Sequence, residues 1–148
     1  MTRWPLLTLA VISPIGFAIS VYLTWAHYAH TALACSSSGL INCELVTSSA
    51  YGRIFGTGIP TSAGGLIWFA GLAVLLALQW RDPKSSGLAV AAFAWSGVAL
   101  LTVMYLVYVE IIVLGAICAW CTGVHLLVLV AFLLSLMRWI WVLQPVSE

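Results

Sequence analysis

CAWCTGVHLLVLVAFLLSLMRWIW, residues 118–141, opens on two cysteines three positions apart and continues as an apolar run with a single charged residue, Arg138, near its far end. A helix that crosses a bilayer needs roughly 20 predominantly apolar residues, and this stretch supplies them. Working back along the chain, comparable runs cover about Leu6 to Tyr28, interrupted only by small polar residues and Pro14, about Thr61 to Trp80, and about Leu88 to Glu110 or a few residues beyond. Arg81-Asp82-Pro83-Lys84-Ser85-Ser86-Gly87 is a charged turn between the second and third runs, and the Gly115 region makes the hairpin before the fourth. Composition agrees: 64% of the 148 residues are apolar and 6% charged, whereas a soluble domain carries about 25% charged residues to wet its surface. The expected fold is all-α, a single four-span membrane domain over 1–148 with spans of about 6–28, 61–80, 88–110 and 118–141. Short turns joining the spans make a four-helix bundle. The surrounding partner is membrane lipid. A net charge of +1 with scattered charges gives no footprint for nucleic acid.

The first run exceeds the roughly 7–15 apolar residues of a signal peptide. Thr31-Ala32-Leu33-Ala34-Cys35 bears a faint likeness to a lipoprotein cleavage site, but it follows His27 and His30, outside the apolar run. The expectation is therefore an uncleaved first span.

Residues 30–60 form a polar outer loop carrying Ser36-Ser37-Ser38-Gly39, Asn42, Glu44, Thr47-Ser48-Ser49 and Arg53. Loops of that length inside a compact protein are usually functional. Leu40, Ile41, Leu45, Val46, Ile54 and Phe55 recur at near-helical spacing, which predicts a short interfacial helix lying on the bundle. Orientation follows from the basic residues. With both termini cytoplasmic, Arg3, Arg81, Lys84 and Arg138 lie inside and only Arg53 outside, as the positive-inside bias requires. Trp4, Trp25, Trp80, Trp120, Trp139 and Trp141 fall near span ends, where amphipathic rings settle; Trp68 and Trp95 lie deeper, as packing or pocket-lining residues. The expected location is the inner (cytoplasmic) membrane, multi-pass, with all four cysteines on the outer, oxidising side.

Those cysteines form two close pairs, Cys35 with Cys43 in the loop and Cys118 with Cys121 at the start of the fourth span. Unsatisfied N–H groups and the positive dipole end of a helix stabilise a thiolate, and thiolate stability sets which sulfur attacks and which leaves in disulfide exchange. Spacing i to i+3 holds both sulfurs on one helical face. A mobile dithiol beside a membrane-embedded one suggests a relay. Two structural disulfides in a non-enzymatic tetraspan protein, and a four-cysteine zinc site, stay open as alternatives. Against the first, a C-x-x-C bridge closes too small a loop to remove much chain entropy. Against the second, two whole spans separate the pairs, which is awkward for tetrahedral zinc.

Cys35, Asn42-Cys43-Glu44, Thr47-Ser48-Ser49, the Gly56–Pro60 approach to the second span, and Cys118-Ala119-Trp120-Cys121 together resemble the vitamin K epoxide reductase family in its bacterial branch. The resemblance extends over nearly the whole chain. The other quinone-coupled disulfide oxidase family has the opposite order, with its C-x-x-C in the first outer loop. The resemblance implies a thiol:quinone oxidoreductase whose bundle surrounds a pocket for ubiquinone or menaquinone, covered by the loop's helix, and no metal. It implies that Cys35 exchanges with a thioredoxin-fold disulfide carrier, that Cys43 shuttles to Cys118, and that Cys121 stands nearest the quinone, able to form a transient adduct or charge-transfer pair. Ser49, six residues after Cys43, matches a Ser/Thr position that supports activity. His125, four residues after Cys121, replaces a tyrosine of vertebrate members, and Thr61 and Ser62 stand where those place a quinone-contacting asparagine. A hydroxyl or imidazole there is suited to donate to a quinone oxygen. With the chain ending at Glu148 and no room for a fused thioredoxin-like domain, the carrier is expected in trans.

Other polar residues in the spans have plainer expectations. His125 is either functional or a neutral histidine bonded to a backbone carbonyl. Glu110 either reaches the interface or handles protons. His27 and His30 are expected at the interface. Ser20, Thr24, Gly64, Gly65, Gly71, Ser96, Gly97 and Thr102 are expected at close helix contacts.

Overall fold

The structure, a computed structural model, describes residues 3–35 and 38–144; Ser36 and Ser37 of the Ser/Gly run lie outside the described residues. In chain order it comprises α1 (Trp4–Ala29), α2 (Cys43–Ser48), α3 (Thr61–Arg81), α4 (Ser86–Tyr108) with a π-helical turn (Val109–Leu114) continuing it, and α5 (Ala119–Leu143). Two 3₁₀ turns, Ala50–Gly52 and Ile54–Gly56, complete the loop. α1, α3, α4 with its π turn, and α5 are each long and apolar enough to cross a membrane. The fold is an all-α membrane bundle with a folded loop at one end.

Helix limits follow local chemistry. Pro5 occupies the first turn of α1, where its missing N–H costs nothing. His30 closes that helix in the left-handed conformation (φ 51°), its N–H donating to Ala26 O. The Ser85 hydroxyl accepts the Leu88 N–H at 3.3 Å and starts α4 at Ser86. At the other end of this span the π turn carries helical backbone on to Leu114, where Gly115 (φ 61°) ends it. The third span thus starts two residues before Leu88 and ends at Leu114, within the few residues beyond Glu110 that hydropathy allowed. A cap and a π turn, neither visible in hydropathy, set its ends.

Between helices in lipid there is no hydrophobic drive, so small residues and interhelical hydrogen bonds hold the bundle. Gly16 of α1 lies under the Phe69 ring of α3, in space a Cβ would occupy. Beside it the Ser13 hydroxyl donates to Phe69 O at 3.0 Å. Gly65 meets Ser20 in the same way, and Gly71 gives room to the Trp95 indole. α3 and α4 are joined by a reciprocal pair: Trp68 Nε1 donates to Trp95 O (3.1 Å) and Trp95 Nε1 donates to Trp68 O (3.0 Å). α4 meets α5 through the Ser96 and Ser135 hydroxyls (3.3 Å) and through Phe93, which stacks on Trp139. Leu6, Leu9, Phe69, Leu72 and Ala131 fill the centre.

Arg3, Arg81 and Lys84 lie at one end of the bundle and the cysteines at the other. Arg138, grouped with the basic end by sequence, is folded inward. Its Nε donates to Gln79 Oε1 (3.4 Å) and its Nη2 to Pro83 O (2.5 Å), tying α5 to the α3–α4 turn.

Candidate functional site

A short backbone zipper brings the loop to α5. Ile117 N–H donates to Leu40 O (2.8 Å) and Asn42 N–H donates to Ile117 O (3.0 Å), a parallel bridge between Ile41 and Ile117. In that register the first residue of α2, Cys43, meets the N-cap of α5, Cys118. Asn42 Oδ1 accepts the Leu45 N–H at 3.0 Å, which turns the chain into α2 immediately after the bridge. Cys43, Val46, Ala116 and Cys118 form one buried cluster, with Cys35, Cys121, Trp120, Leu33 and Leu114 packed against it.

Within that cluster Cys35 and Cys43 are joined in a disulfide with Cα atoms 6.2 Å apart, and Cys118 and Cys121 are thiols. The segment before Cys35 is gripped from two helices. Tyr22 Oη of α1 accepts the Ala34 N–H (2.9 Å), Trp120 Nε1 of α5 donates to Ala34 O (3.0 Å), and the two rings lie 5.1 Å apart. All four sulfurs that sequence singled out are thereby brought together. Among the described residues no three His, Cys, Asp or Glu side chains form a metal-ligand set.

Cys118 is fully buried, and its Sγ accepts the Cys121 N–H at 3.2 Å in the N-cap position of α5. The Cys121 side-chain thiol, the largest influence, and the backbone N–H groups hold the Cys118 thiol below its ordinary value, outweighing burial and the nearby Glu110 charge. Glu110 is turned into the bundle. The π turn rotates it inward until it is 5% exposed, and its Oε2 accepts the Cys118 N–H at 3.4 Å. Such turns inside α-helices recur at functional sites.

Below the cysteines lies a half-open cavity of about 500 Å³, lined by α1, α3, α4 and α5 and by the loop. Cys121, His125, Thr61, Ser62 and Ser49 all line it. Their hydrogen bonding separates them. Thr61 Oγ1 donates to Tyr51 O (3.1 Å), the Ser62 and Thr24 hydroxyls are paired (2.9 Å), and Ser49 Oγ donates to Val46 O (2.8 Å) while accepting the Gly52 N–H (3.2 Å). These three hydroxyls hold the loop and the α3 start in place. The buried His125 ring, by contrast, shows no hydrogen bond to a protein group among the described residues and lines the cavity. His27, expected at the interface, is half-buried and lines the cavity, as does Glu110. Tyr22, Trp120 and the buried position of Glu110 were missed by sequence reasoning. The one available signal was an acid within an otherwise apolar run.

Among sequence models of protein families, the one described as the vitamin K epoxide reductase family matches residues 7–136, from α1 to near the end of α5.

Proposed function

This chain belongs to the vitamin K epoxide reductase family, and from that premise we propose that it is a thiol:quinone oxidoreductase that makes disulfides outside the cytoplasm. The observation that carries the reading is that Cys118 abuts the Cys35–Cys43 disulfide on one side, while its partner Cys121 lines the cavity on the other. Two redox pairs in series therefore connect a loop to a cavity.

The sequence of exchanges follows from the order of contacts. A thiolate of a reduced thioredoxin-fold carrier attacks Cys35, releasing the Cys43 thiolate. The carrier's second thiolate then displaces Cys35 and leaves oxidised. Cys43 attacks Cys118 of the inner disulfide, releasing Cys121, and Cys35 attacks Cys43, releasing Cys118 and restoring the outer disulfide. The N-cap position favours that last step, because a stabilised thiolate leaves faster. An outer disulfide above an inner dithiol is the state that results, and it is the state of the chain described above.

The inner pair must then lose two electrons. A cavity of about 500 Å³ falls within the range of small-molecule pockets, about 300–1,000 Å³. Its apolar walls, with Cys121 and an unpartnered His125 imidazole, suit a quinone ring. A bound quinone supplies an acceptor for two electrons and two protons. His125 would hydrogen-bond it, and Thr61, Ser62 and Ser49 would border it from the loop and the start of α3. Protein dithiols lie at roughly −270 to −120 mV, so transfer to a more oxidising quinone is downhill.

The test is quinone reduction by purified protein supplied with a reduced thioredoxin-fold carrier. Turnover is expected for the wild type and is abolished in Cys118→Ala and Cys121→Ala. A Cys43→Ala variant should accumulate a mixed disulfide between Cys35 and the carrier. Absence of wild-type turnover, or turnover unchanged in the two alanine variants, would return the chain to a non-enzymatic membrane protein with structural disulfides.

A further inference from the structure

Closing the Cys118–Cys121 disulfide releases two protons with its two electrons, and both must reach the acceptor inside an apolar cavity. The titratable side chains facing that cavity are His27 of α1, Tyr51 of the loop, Glu110 of the π turn, and Cys121 and His125 of α5; α3 contributes none, and Cys118 lies just behind. No lysine or arginine is among the lining residues. An acid buried there has no lysine or arginine to compensate it, burying its charge is costly, and ionisable groups at such depth are functional candidates by default. Helix packing does not require it. The backbone hydrogen bonds that end this span run from the Gly115 and Ala116 N–H groups to Glu110 O, which is main chain. The side chain instead bridges the reacting pair and the cavity. Oε2 accepts the N–H of Cys118 itself, and the residue lines the same space as Cys121 and His125.

We propose that Glu110 is the proton-transfer group of the inner redox step: its carboxylate takes a proton from the Cys118–Cys121 dithiol as the disulfide closes and delivers it to an oxygen of the quinone. This rests on the thiol:quinone reading. The overall step balances. Two thiols become one disulfide, Glu110 passes their two protons in succession to the quinone, the quinone with two electrons becomes the quinol, and Glu110 ends as the carboxylate it began as. The π turn is what makes the arrangement possible, because it brings an acid inward at the depth of the cysteines.

Glu110→Gln tests this, since the amide oxygen still accepts the Cys118 N–H while the proton carrier is gone. With a soluble quinone and excess reduced carrier, kcat is expected to fall by about 100-fold, the usual scale for a lost general acid–base group, with KM for the quinone little changed. The solvent deuterium isotope effect on kcat should rise, and the limb of the pH profile due to the acid should vanish. Mixed-disulfide exchange at Cys35 should keep its wild-type rate, which reports an intact loop. Glu110→Ala should regain activity on addition of formate, a response that a purely structural acid would not give. Wild-type turnover matched by Glu110→Gln with an unchanged pH profile, or a Glu110→Ala loss that formate does not relieve, overturns the proton role and leaves the quinone reading standing. No turnover in the wild type overturns the quinone reading itself.

Discussion

Cys118 combines two properties that rarely meet: it is fully buried, yet its sulfur accepts a backbone N–H at the start of a helix. Burial alone would push a thiol up. Here the Cys121 thiol and the first N–H groups of α5 win, and the net displacement is downward. The thiolate should therefore persist to lower pH than an ordinary thiol of about 8.5, and be lost only as pH falls through the lowered value. Titrating thiolate ultraviolet absorbance in reduced Cys35→Ala/Cys43→Ala protein checks this. Cys121→Ala, which removes the largest stabilising partner, should move the Cys118 midpoint up; a midpoint unmoved by that change would contradict the assignment of cause.

At the level of elements, the bundle depends on a few direct bonds between helices. The Trp68–Trp95 pair is the clearest, two indoles each donating to the other's backbone. Replacing either by Phe keeps most of the ring volume and removes one bond. Each replacement should cost about 0.5–1.5 kcal/mol, read as a lower unfolding midpoint in detergent; no change would mean that these bonds add nothing to α3–α4 packing. Sequence disclosed that four spans exist, because composition and run length report on lipid as a solvent. It also disclosed that a C-x-x-C opens the last one. It could not show which face of each span turns inward. A helix in lipid is apolar all round, so the polar/apolar stripe that marks the inner face of a water-soluble helix is missing. Glu110 illustrates the loss. A regular helix continued past Tyr108 gives no reason to put it beside Cys118, and only the extra residue of the π turn does so. Ser49, Thr61 and Ser62 were legible as cavity residues, but their mutual fixing of loop and α3 was not, since it depends on contacts such as Tyr51 O and Thr24 that no local pattern encodes.

For the whole molecule, polarity along the bundle axis is the organising fact: Arg3, Arg81 and Lys84 at one end, the cysteines with only Arg53 at the other. By the positive-inside bias the termini are expected in the cytoplasm, the orientation we propose. In intact cells a membrane-impermeant maleimide should label reduced Cys35 in a Cys43→Ala protein; labelling only after the membrane is broken would reverse the orientation. The loop that seats Cys43 over Cys118 also leaves Cys118 with no exposed surface. Considered as a conductor, Cys118 is the insulated member of the inner pair: its sulfur has no surface for small thiols of the medium, whereas Cys121 is partly exposed toward the cavity. Under the proposed relay, Cys118 would then be reached from outside only through Cys43, so selectivity for the oxidised partner would rest with the outer pair and need not be built into the inner chemistry.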